Sequence, residues 1–269
     1  DLSAVASIRL ELGAVELALQ RGPLPEQWLL RRTLHQSTGG PVWPVDPTRV
    51  RALVRLVTDL RADSPPENDA DDEWVRVTFE DSNGKTAAEL SVSRRSLGGM
   101  SKVRTAVGTA RIEDRFAEMF REQSIMNWRQ AVAFVRTPSP ATRLVSRSRD
   151  DVNAAEETVE LRRAGGGWVL MEPVATDAEP ADGSAFARAL EMVQFVDLVD
   201  EVAEPAVLGM GSPLRVYRME SELISSAEQP ARRVLLQTLE IGGPAPVIGT
   251  RFARVSAVLT GTENEGADY

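Results

Sequence analysis

Residue types that often carry chemistry are absent or rare in this chain of 269 residues. The sequence has no cysteine, which excludes disulfide bonds, thiol catalysis and zinc or iron–sulfur sites built on cysteine. Its one histidine, His35, lies in a polar stretch typical of a solvated loop, and no G-x-S-x-G nucleophile motif accompanies it. We therefore predict no catalytic residue, no metal site and no cofactor.

Lysine is also scarce, because Lys85 and Lys102 are the only two and every other basic residue is arginine. One interpretation is functional, since the planar guanidinium group suits the recognition of carboxylates and phosphates. The abundance of Ala, Val and Gly favours a second interpretation, the codon usage of a GC-rich genome.

Long apolar runs are missing, and the balance of charge is acidic. Lys and Arg number 31 against 40 Asp and Glu, so the formal net charge is −9. This balance argues against a nucleic-acid partner held by phosphate contacts. No apolar run reaches the roughly 18 residues that a membrane span needs, and we predict no span in this chain. The sequence begins at Asp1 rather than Met, and we expect an N-terminal anchor that this chain lacks.

Alternation of apolar and polar residues dominates the start of the chain and predicts half-buried strands. It runs over Ile8–Leu12 and Val15–Gln20, and Gln27–Arg31 is a third predicted strand. Asp46 and Pro47 are typical of an N-cap followed by the first residue of a helix. The apolar positions of that predicted helix share one face: Val50, Leu53, Val54, Val57 and Leu60.

The second half of the chain repeats this order of elements. Thr158–Arg162 and Trp168–Met171 are predicted strands, joined by a turn that contains three consecutive glycines. Asp182 is the predicted N-cap of a second helix. The apolar positions of that helix fall at the same offsets from the cap: Phe186, Ala189, Leu190, Val193 and Val196.

This correspondence indicates an internal repeat of long period. Trp28 matches Trp168, and Asp46 matches Asp182. We interpret both tryptophans as core anchors, with an aromatic ligand platform as the alternative. Each copy is predicted to hold two strands, one helix and two or three further antiparallel strands. The fold class is therefore α+β, as two tandem copies of a unit in which one amphipathic helix covers an antiparallel sheet.

Two domains follow from the repeat. The first covers residues 1–137 and ends in a helix over 112–130 that bridges the copies. The second covers residues 138–269, and its polar tail, residues 261–269, is expected to be frayed.

The predicted bridging helix is one candidate location for an interaction surface, and a free sheet edge is the other. The apolar positions of the helix form a possible partner surface: Phe116, Met119, Phe120 and Met126. The alternative is that this face closes the core between the copies.

Two charged clusters are weaker candidates. Asp69, Asp71 and Asp72, with Glu73, offer oxygen ligands for a cation, but their spacing lacks the glycine and the closing glutamate of a calcium loop. We interpret them as a solvated loop. Arg143 and Arg147, with Arg149, form a basic cluster that could bind an acidic partner or lipid head groups, or could be neutralised by neighbouring acids.

The second half carries a tryptophan strand, Gly167–Leu170, with Pro173 soon after it and Ala181–Asp182 before a helix. In this order the motifs resemble a family of uncharacterised bacterial tandem-repeat domains that are encoded beside gliding-motility-type ABC transporter components. The resemblance is best from Val159 to Val255. It implies an extracytoplasmic domain on an N-terminal membrane anchor, and it brings no catalytic residues.

We therefore expect a non-enzymatic, extracytoplasmic interaction module. It would be an accessory subunit of a membrane-bound transporter-type complex, and its partners would be proteins, namely integral membrane subunits. An alternative is a structural subunit of another membrane protein assembly. A third hypothesis is a carboxylate-based hydrolase, which would need a deep cleft that holds two acids at working separation.

Overall fold

A computed structural model describes most of the chain, and the fold is mostly antiparallel sheet with few helices. This composition is compatible with the predicted α+β class. The chain divides into two compact units, Asp1–Gln130 and Ala131–Tyr269. None of the described helices is both long enough and apolar enough to cross a membrane. The described residues are 4–22, 24, 26–34, 42–65, 73–137, 139–151, 153–173, 176–178, 180–198, 204, 206–224 and 232–261.

Unit 1 is built on an eight-stranded antiparallel sheet. Its strands are β1 (Val5–Leu12), β2 (Val15–Arg21), β3 (Trp28–Leu34), β4 (Val42–Val45), β5 (Trp74–Asp81), β6 (Thr86–Leu97), β7 (Met100–Thr105) and β8 (Gly108–Glu113). They lie in the order β4-β3-β2-β1-β5-β6-β7-β8. The sheet has eight strands, more than the four or five predicted for each copy. One of the missed strands, β4, is short and contains Pro44, so it shows no alternation that a sequence pattern could detect.

The alternation of β1 decides which face of this sheet is covered. Ile8 and Leu10 are fully buried, and across the sheet Leu10 pairs with Val77 and Ile8 with Phe79. Helix α1 (Pro47–Asp59) buries Val50 on the same unit, where Val50 and Trp28 line one small cavity. The helix is therefore held by its apolar stripe, and its opposite stripe is left to solvent.

The predicted N-cap of α1 is confirmed. Asp46 has an extended backbone, and its carboxylate Oδ1 accepts hydrogen bonds from Thr48 N at 2.8 Å and Thr48 Oγ1 at 2.6 Å. The side-chain hydrogen bond from Thr48 lowers the pKa of Asp46 below its ordinary value. Pro47 follows as the first helical residue, where its missing N–H leaves no backbone donor unsatisfied.

The single helix predicted over 112–130 is wrong. Ile112 belongs to β8, where it pairs with Ser101 of β7. The chain then forms α2 (Asp114–Ala117), a 3₁₀ turn (Glu118–Phe120) and α3 (Glu122–Met126), with Arg121 extended between the last two. The side chain of Asp114 accepts hydrogen bonds from the hydroxyls of Ser96 and Ser101, which fixes the turn at the end of β8. Strand pairing and this anchor outweigh the helical spacing of the apolar residues.

Unit 2 is built on a seven-stranded antiparallel sheet and one helix, α4 (Pro180–Glu191). Its strands are β9 (Ala141–Ser148), β10 (Glu157–Ala164), β11 (Gly167–Glu172), β12 (Thr176–Ala178), β13 (Arg215–Ile224), β14 (Arg232–Pro244) and β15 (Arg251–Gly261). They lie in the order β12-β11-β10-β9-β13-β14-β15. The core combines Leu144, Leu161, Trp168, Leu190, Met219 and Leu239.

The segment before β9 belongs to this core, which explains why unit 2 begins at Ala131. Phe134 is buried among the core residues of unit 2. The buried side chain of Gln237 binds the backbone of Val135 twice, accepting from its N at 2.7 Å and donating to its O at 3.0 Å. A sequence pattern places a boundary at the prolines around 138–140, but the packing extends unit 2 further toward the N-terminus.

The predicted N-cap at Asp182 is wrong. Helix α4 begins at Pro180, so Asp182 is its third residue rather than the residue that precedes it. Proline is pre-organised for the first helical position, and the helix therefore starts three residues earlier than predicted. The predicted apolar face is wrong in part, because Ala189 is exposed and Val196 lies beyond the helix with 83% of its surface accessible.

Both tryptophans are core residues, as predicted, since Trp28 is 3% and Trp168 is 5% exposed. Trp168 packs directly against the backbone of α4. A Cβ atom added to Gly183 would lie 2.3 Å from Cγ of Trp168, which is closer than side-chain atoms approach one another. Glycine at this position therefore lets the helix lie on the indole ring.

We expect Asp46→Ala to lower the free energy of unfolding by about 1 kcal/mol, because it removes the acceptor for the Thr48 backbone N–H. Thermal or denaturant unfolding of the variant measures this. Asp59→Ala, an exposed residue at the other end of the same helix, is the control and should change stability by less than about 0.5 kcal/mol. An equal loss of stability in both variants would contradict a stabilising role for the Asp46 cap.

We expect Gly183→Ala to lower the free energy of unfolding by about 1–3 kcal/mol, although alanine is the better helix former, since the new methyl group meets the indole of Trp168. Ser184→Ala, at an exposed position one residue later, is the control and should be close to neutral. A stabilised Gly183→Ala variant would show that α4 does not rest on Trp168.

Candidate functional site

The outer stripe of α1 forms one wall of an open groove in unit 1. With Val50 and Leu53 buried beneath the helix, the residues half a turn away face solvent, among them Arg51, Ala52 and Arg55. A helix repeats every 3.6 residues, so these positions align along one side. The wall therefore presents two guanidinium groups beside an alanine.

The other wall comes from the segment that follows β8. Phe116 on α2 and Met119 in the 3₁₀ turn are half-buried and face the outer stripe of α1. The two walls enclose about 710 Å³, and we name this space the α1–α2 groove. Its apolar lining is Ala52, Leu56, Phe116 and Met119, and its polar lining is Thr48, Arg51, Arg55 and Asp59.

The structure separates the four residues of the predicted partner surface. Phe116 and Met119 line the α1–α2 groove, whereas Phe120 is 2% and Met126 is 6% exposed. Phe120 and Met126 are therefore core residues of unit 1 and offer nothing to a partner in this fold. The helical wheel placed all four on one face because it assumed a single helix, which the extended backbone of Arg121 interrupts.

Cations predominate at the groove. The Arg51 guanidinium lies 3.3 Å from the carboxylate of Glu26, in an exposed pair of the kind that contributes about 0–1 kcal/mol. Arg55 is exposed and forms no ion pair with any residue that the structure describes. The Arg115 guanidinium stacks 4.7 Å from the centre of the Phe116 ring. Asp59 is the one carboxylate among the lining residues.

The helix α1 also has a smaller cavity on its other flank, of about 210 Å³. The Arg21 guanidinium stacks there on Trp28, 4.6 Å from the ring centre, and covers the indole. Arg51 and Arg55 line both spaces. Because Trp28 is buried and stacked, this cavity is part of the helix–sheet packing.

The basic cluster of unit 2 is neutralised by its own sheet. Arg143 binds both oxygens of Glu160, at 3.0 and 2.9 Å, and Glu220 at 2.7 Å, which raises the pKa of Arg143. Arg143 also holds the pKa of Glu160 below its ordinary value, against the effect of burial, and Arg162 at 2.5 Å acts in the same direction. The cluster is thus a structural ion-pair network.

The other two arginines of that cluster are also engaged. Arg149 donates from Nε and Nη2 to the carbonyl oxygen of Pro213, at 3.1 and 2.9 Å. Arg147 lies 3.7 Å from the carboxylate of Glu156. These contacts favour the interpretation of a neutralised surface over a lipid or acidic-partner site.

The structure describes none of the remaining sequence candidates except Glu73. His35 and the acids Asp69, Asp71 and Asp72 lie outside the described residues. Among the residues that are described, no three His, Asp or Glu side chains are placed to hold a metal ion. The sequence matches no known family model, no curated protein and no solved structure.

We expect Glu160→Gln to lower the free energy of unfolding by about 2 kcal/mol at neutral pH, because it removes the charge that Arg143 and Arg162 share. The folded-state pKa of Glu160 is depressed, so this contribution is complete above its ordinary value of 4.5 and disappears as the pH falls through the lower, folded value. Unfolding curves of wild type and variant from neutral to acidic pH should therefore converge.

Glu156→Gln is the control for this prediction, since Glu156 is half exposed and makes one 3.7 Å ion pair. Its effect should stay within about 0.5 kcal/mol. A Glu160→Gln difference that is constant with pH would mean that the loss is one of packing and not of charge.

Proposed function

We propose that this chain is a non-enzymatic protein-interaction module and that the α1–α2 groove binds a segment of its partner. The observation that carries the proposal is the combination of half-buried Phe116 and Met119 with the exposed guanidinium group of Arg55 in one open groove. Apolar side chains supply contact area, and arginine supplies directional, charged hydrogen bonds to carboxylates. The groove therefore suits a peptide segment that presents apolar and acidic side chains together.

Charge supports the choice of an acidic segment. The chain as a whole carries a net charge of −9, yet the groove wall on α1 carries Arg51 and Arg55. A local cationic surface on an acidic protein attracts an acidic partner and repels unrelated basic ones. Arginine also loses less than lysine when it is partly desolvated against apolar neighbours, because its hydration is weaker.

We further propose that the two units are copies of one repeat. In each sheet four strands precede the helix, and the strand that follows the helix pairs with the first strand of its unit. Trp28 pairs with Val45, and the helix begins two residues later at Pro47. Trp168 pairs with Ala178, and the helix again begins two residues later, at Pro180.

This correspondence moves the alignment of the two helices by three residues. Pro47 matches Pro180, and Asp46 matches position 179 instead of Asp182. Val50, beside Trp28 in unit 1, then matches Gly183, which lies against Trp168 in unit 2. A pair of equivalent helix–tryptophan contacts is what a duplicated unit would retain.

We propose that the partner belongs to a membrane-bound complex of transporter type on the extracytoplasmic side. The support is the sequence resemblance of the segment from Gly167 to Asp182, of which the Ala181–Asp182 part falls inside α4 and not at its cap. A structural role in another membrane assembly is the alternative. The groove does not favour a carboxylate-based hydrolase, because its lining includes a single carboxylate, Asp59, where such chemistry needs two.

A photo-crosslinking amino acid at Ala52, in cells that naturally produce the chain, tests the groove. Ala52 is exposed on the groove wall, and Thr58 is exposed on the same helix outside the lining, so Thr58 is the matched position. We expect a specific protein adduct from position 52 and none from position 58. The adduct identified by mass spectrometry should be an integral membrane subunit.

Reversing the charge of Arg55 then tests whether the groove recognises an acidic segment. Arg55→Glu should weaken capture from position 52 by about tenfold or more, because it replaces a charge-assisted hydrogen bond by repulsion. Arg49→Glu makes the same change of charge on the same helix outside the groove and should leave capture unchanged. Equal loss of capture in both variants would contradict the proposal that the groove binds the partner. An adduct with a protein outside the membrane would contradict only the proposal that the partner is a membrane subunit.

A further inference from the structure

The outer strand β15 leaves the unit 2 sheet with a long edge. It spans 11 residues, which at about 3.4 Å per residue is some 37 Å of extended chain. It pairs with β14 along this length, and no described residue pairs with its other side. A free edge of this length presents a row of backbone donors and acceptors that can bind another strand.

The other three sheet edges are short or covered. Strand β4 contains Pro44, whose carbonyl oxygen accepts a hydrogen bond from Gln130 N at 2.8 Å. Strand β8 is covered at Thr109, whose backbone exchanges hydrogen bonds of 2.9 and 3.2 Å with Ser64. Strand β12 has only three residues. Within the described part of the chain, β15 is therefore the one extended edge without such protection.

The composition of β15 favours pairing. From Val255 to Thr260 the strand contains no charged residue, no proline and no glycine, and its charges are confined to Arg251 and Arg254. Edge strands of monomeric proteins usually carry a central charge, a proline or a bulge that blocks the approach of another strand. The six residues from Val255 to Thr260 have none of these.

We propose that β15 pairs with β15 of a second copy of this chain, antiparallel, about a twofold axis through Ala257. A twofold axis perpendicular to a sheet requires that one residue faces its own counterpart, and it closes the assembly at two copies. In this register Val255 lies opposite Leu259, and Ser256 lies opposite Val258 of the other copy. Arg254 lies opposite Thr260.

Two features select this register. Val255, Ala257 and Leu259 share one face of the strand, and Val255 packs against the core of unit 2, so the apolar pairs continue that core across the interface. The two copies of Arg254 are then six residues apart, about 20 Å, where their repulsion is screened. An axis through Arg254 would place the two guanidinium groups directly opposite one another, which is destabilising.

The absence of cysteine allows a direct test of this pairing. In the proposed dimer the two copies of residue 257 have Cα atoms about 4.5–5.5 Å apart, within the range of a disulfide. Ala257→Cys should give a covalent dimer under mild oxidation. Ala253→Cys is the matched control on the same strand, and its two copies would lie about 27 Å apart, so it should stay monomeric on a denaturing gel.

Light scattering coupled to size exclusion, at about 1–100 µM of the full chain, gives the second readout. The wild type should be a dimer. Ser256→Lys with Val258→Lys puts like charges opposite each other across the interface and should give a monomer. Ser256→Lys with Val258→Glu changes the same positions but pairs opposite charges, and should remain a dimer.

A wild-type chain that stays monomeric through this range would overturn the proposal, and the edge would then be open to a strand of a different protein. Cross-linking of Ala253→Cys as efficient as that of Ala257→Cys would also overturn it. The cysteine variants keep side chains of similar size, so they remain informative even where the lysine variants fail to fold.

Discussion

The burial of one stripe of α1 in unit 1 is the contact on which the candidate site depends. With Val50 and Leu53 beneath the helix, the geometry of 3.6 residues per turn directs Arg51, Ala52 and Arg55 outward. The Asp46 cap fixes where the helix begins. The outward orientation of this stripe and the return of the chain through α2 are sufficient to form the groove.

Arginine has several distinct roles in this protein. Codon usage alone therefore does not explain why arginine is so much more frequent than lysine. Arg21 stacks on Trp28, and Arg104 stacks on Trp74 at 4.3 Å from the ring centre. Arg143 binds Glu160 through two nitrogen atoms at once. A planar guanidinium group can do both, whereas the point charge of lysine can do neither. Arg55, exposed in the groove, has the same capability available for a partner.

The edges of the two sheets explain where further pairing is possible. In unit 1 the chain covers its own edges with segments from elsewhere in the sequence, at Gln130 beside β4 and at Ser64 beside β8. In unit 2 the last described strand is the longest edge, and it has the fewest features that block pairing. The α1–α2 groove and the β15 edge lie on different units, so the two proposals concern separate surfaces and can be tested separately.

The sequence by itself determined the local features. Alternation predicted the strands around Val15–Gln20 and Thr158–Arg162, the Asp-Pro pair predicted the start of α1, and the tryptophans were correctly predicted to be buried. These properties depend on neighbours within one or two turns or on a side chain's size.

Tertiary structure decided the rest. Strand pairing through Ile112 broke the predicted helix, packing against Trp168 required Gly183, and sheet order brought Phe116 to Arg55 from far along the chain. A periodic pattern states which side of an element is apolar, but the element that meets this side is chosen by contacts between distant segments.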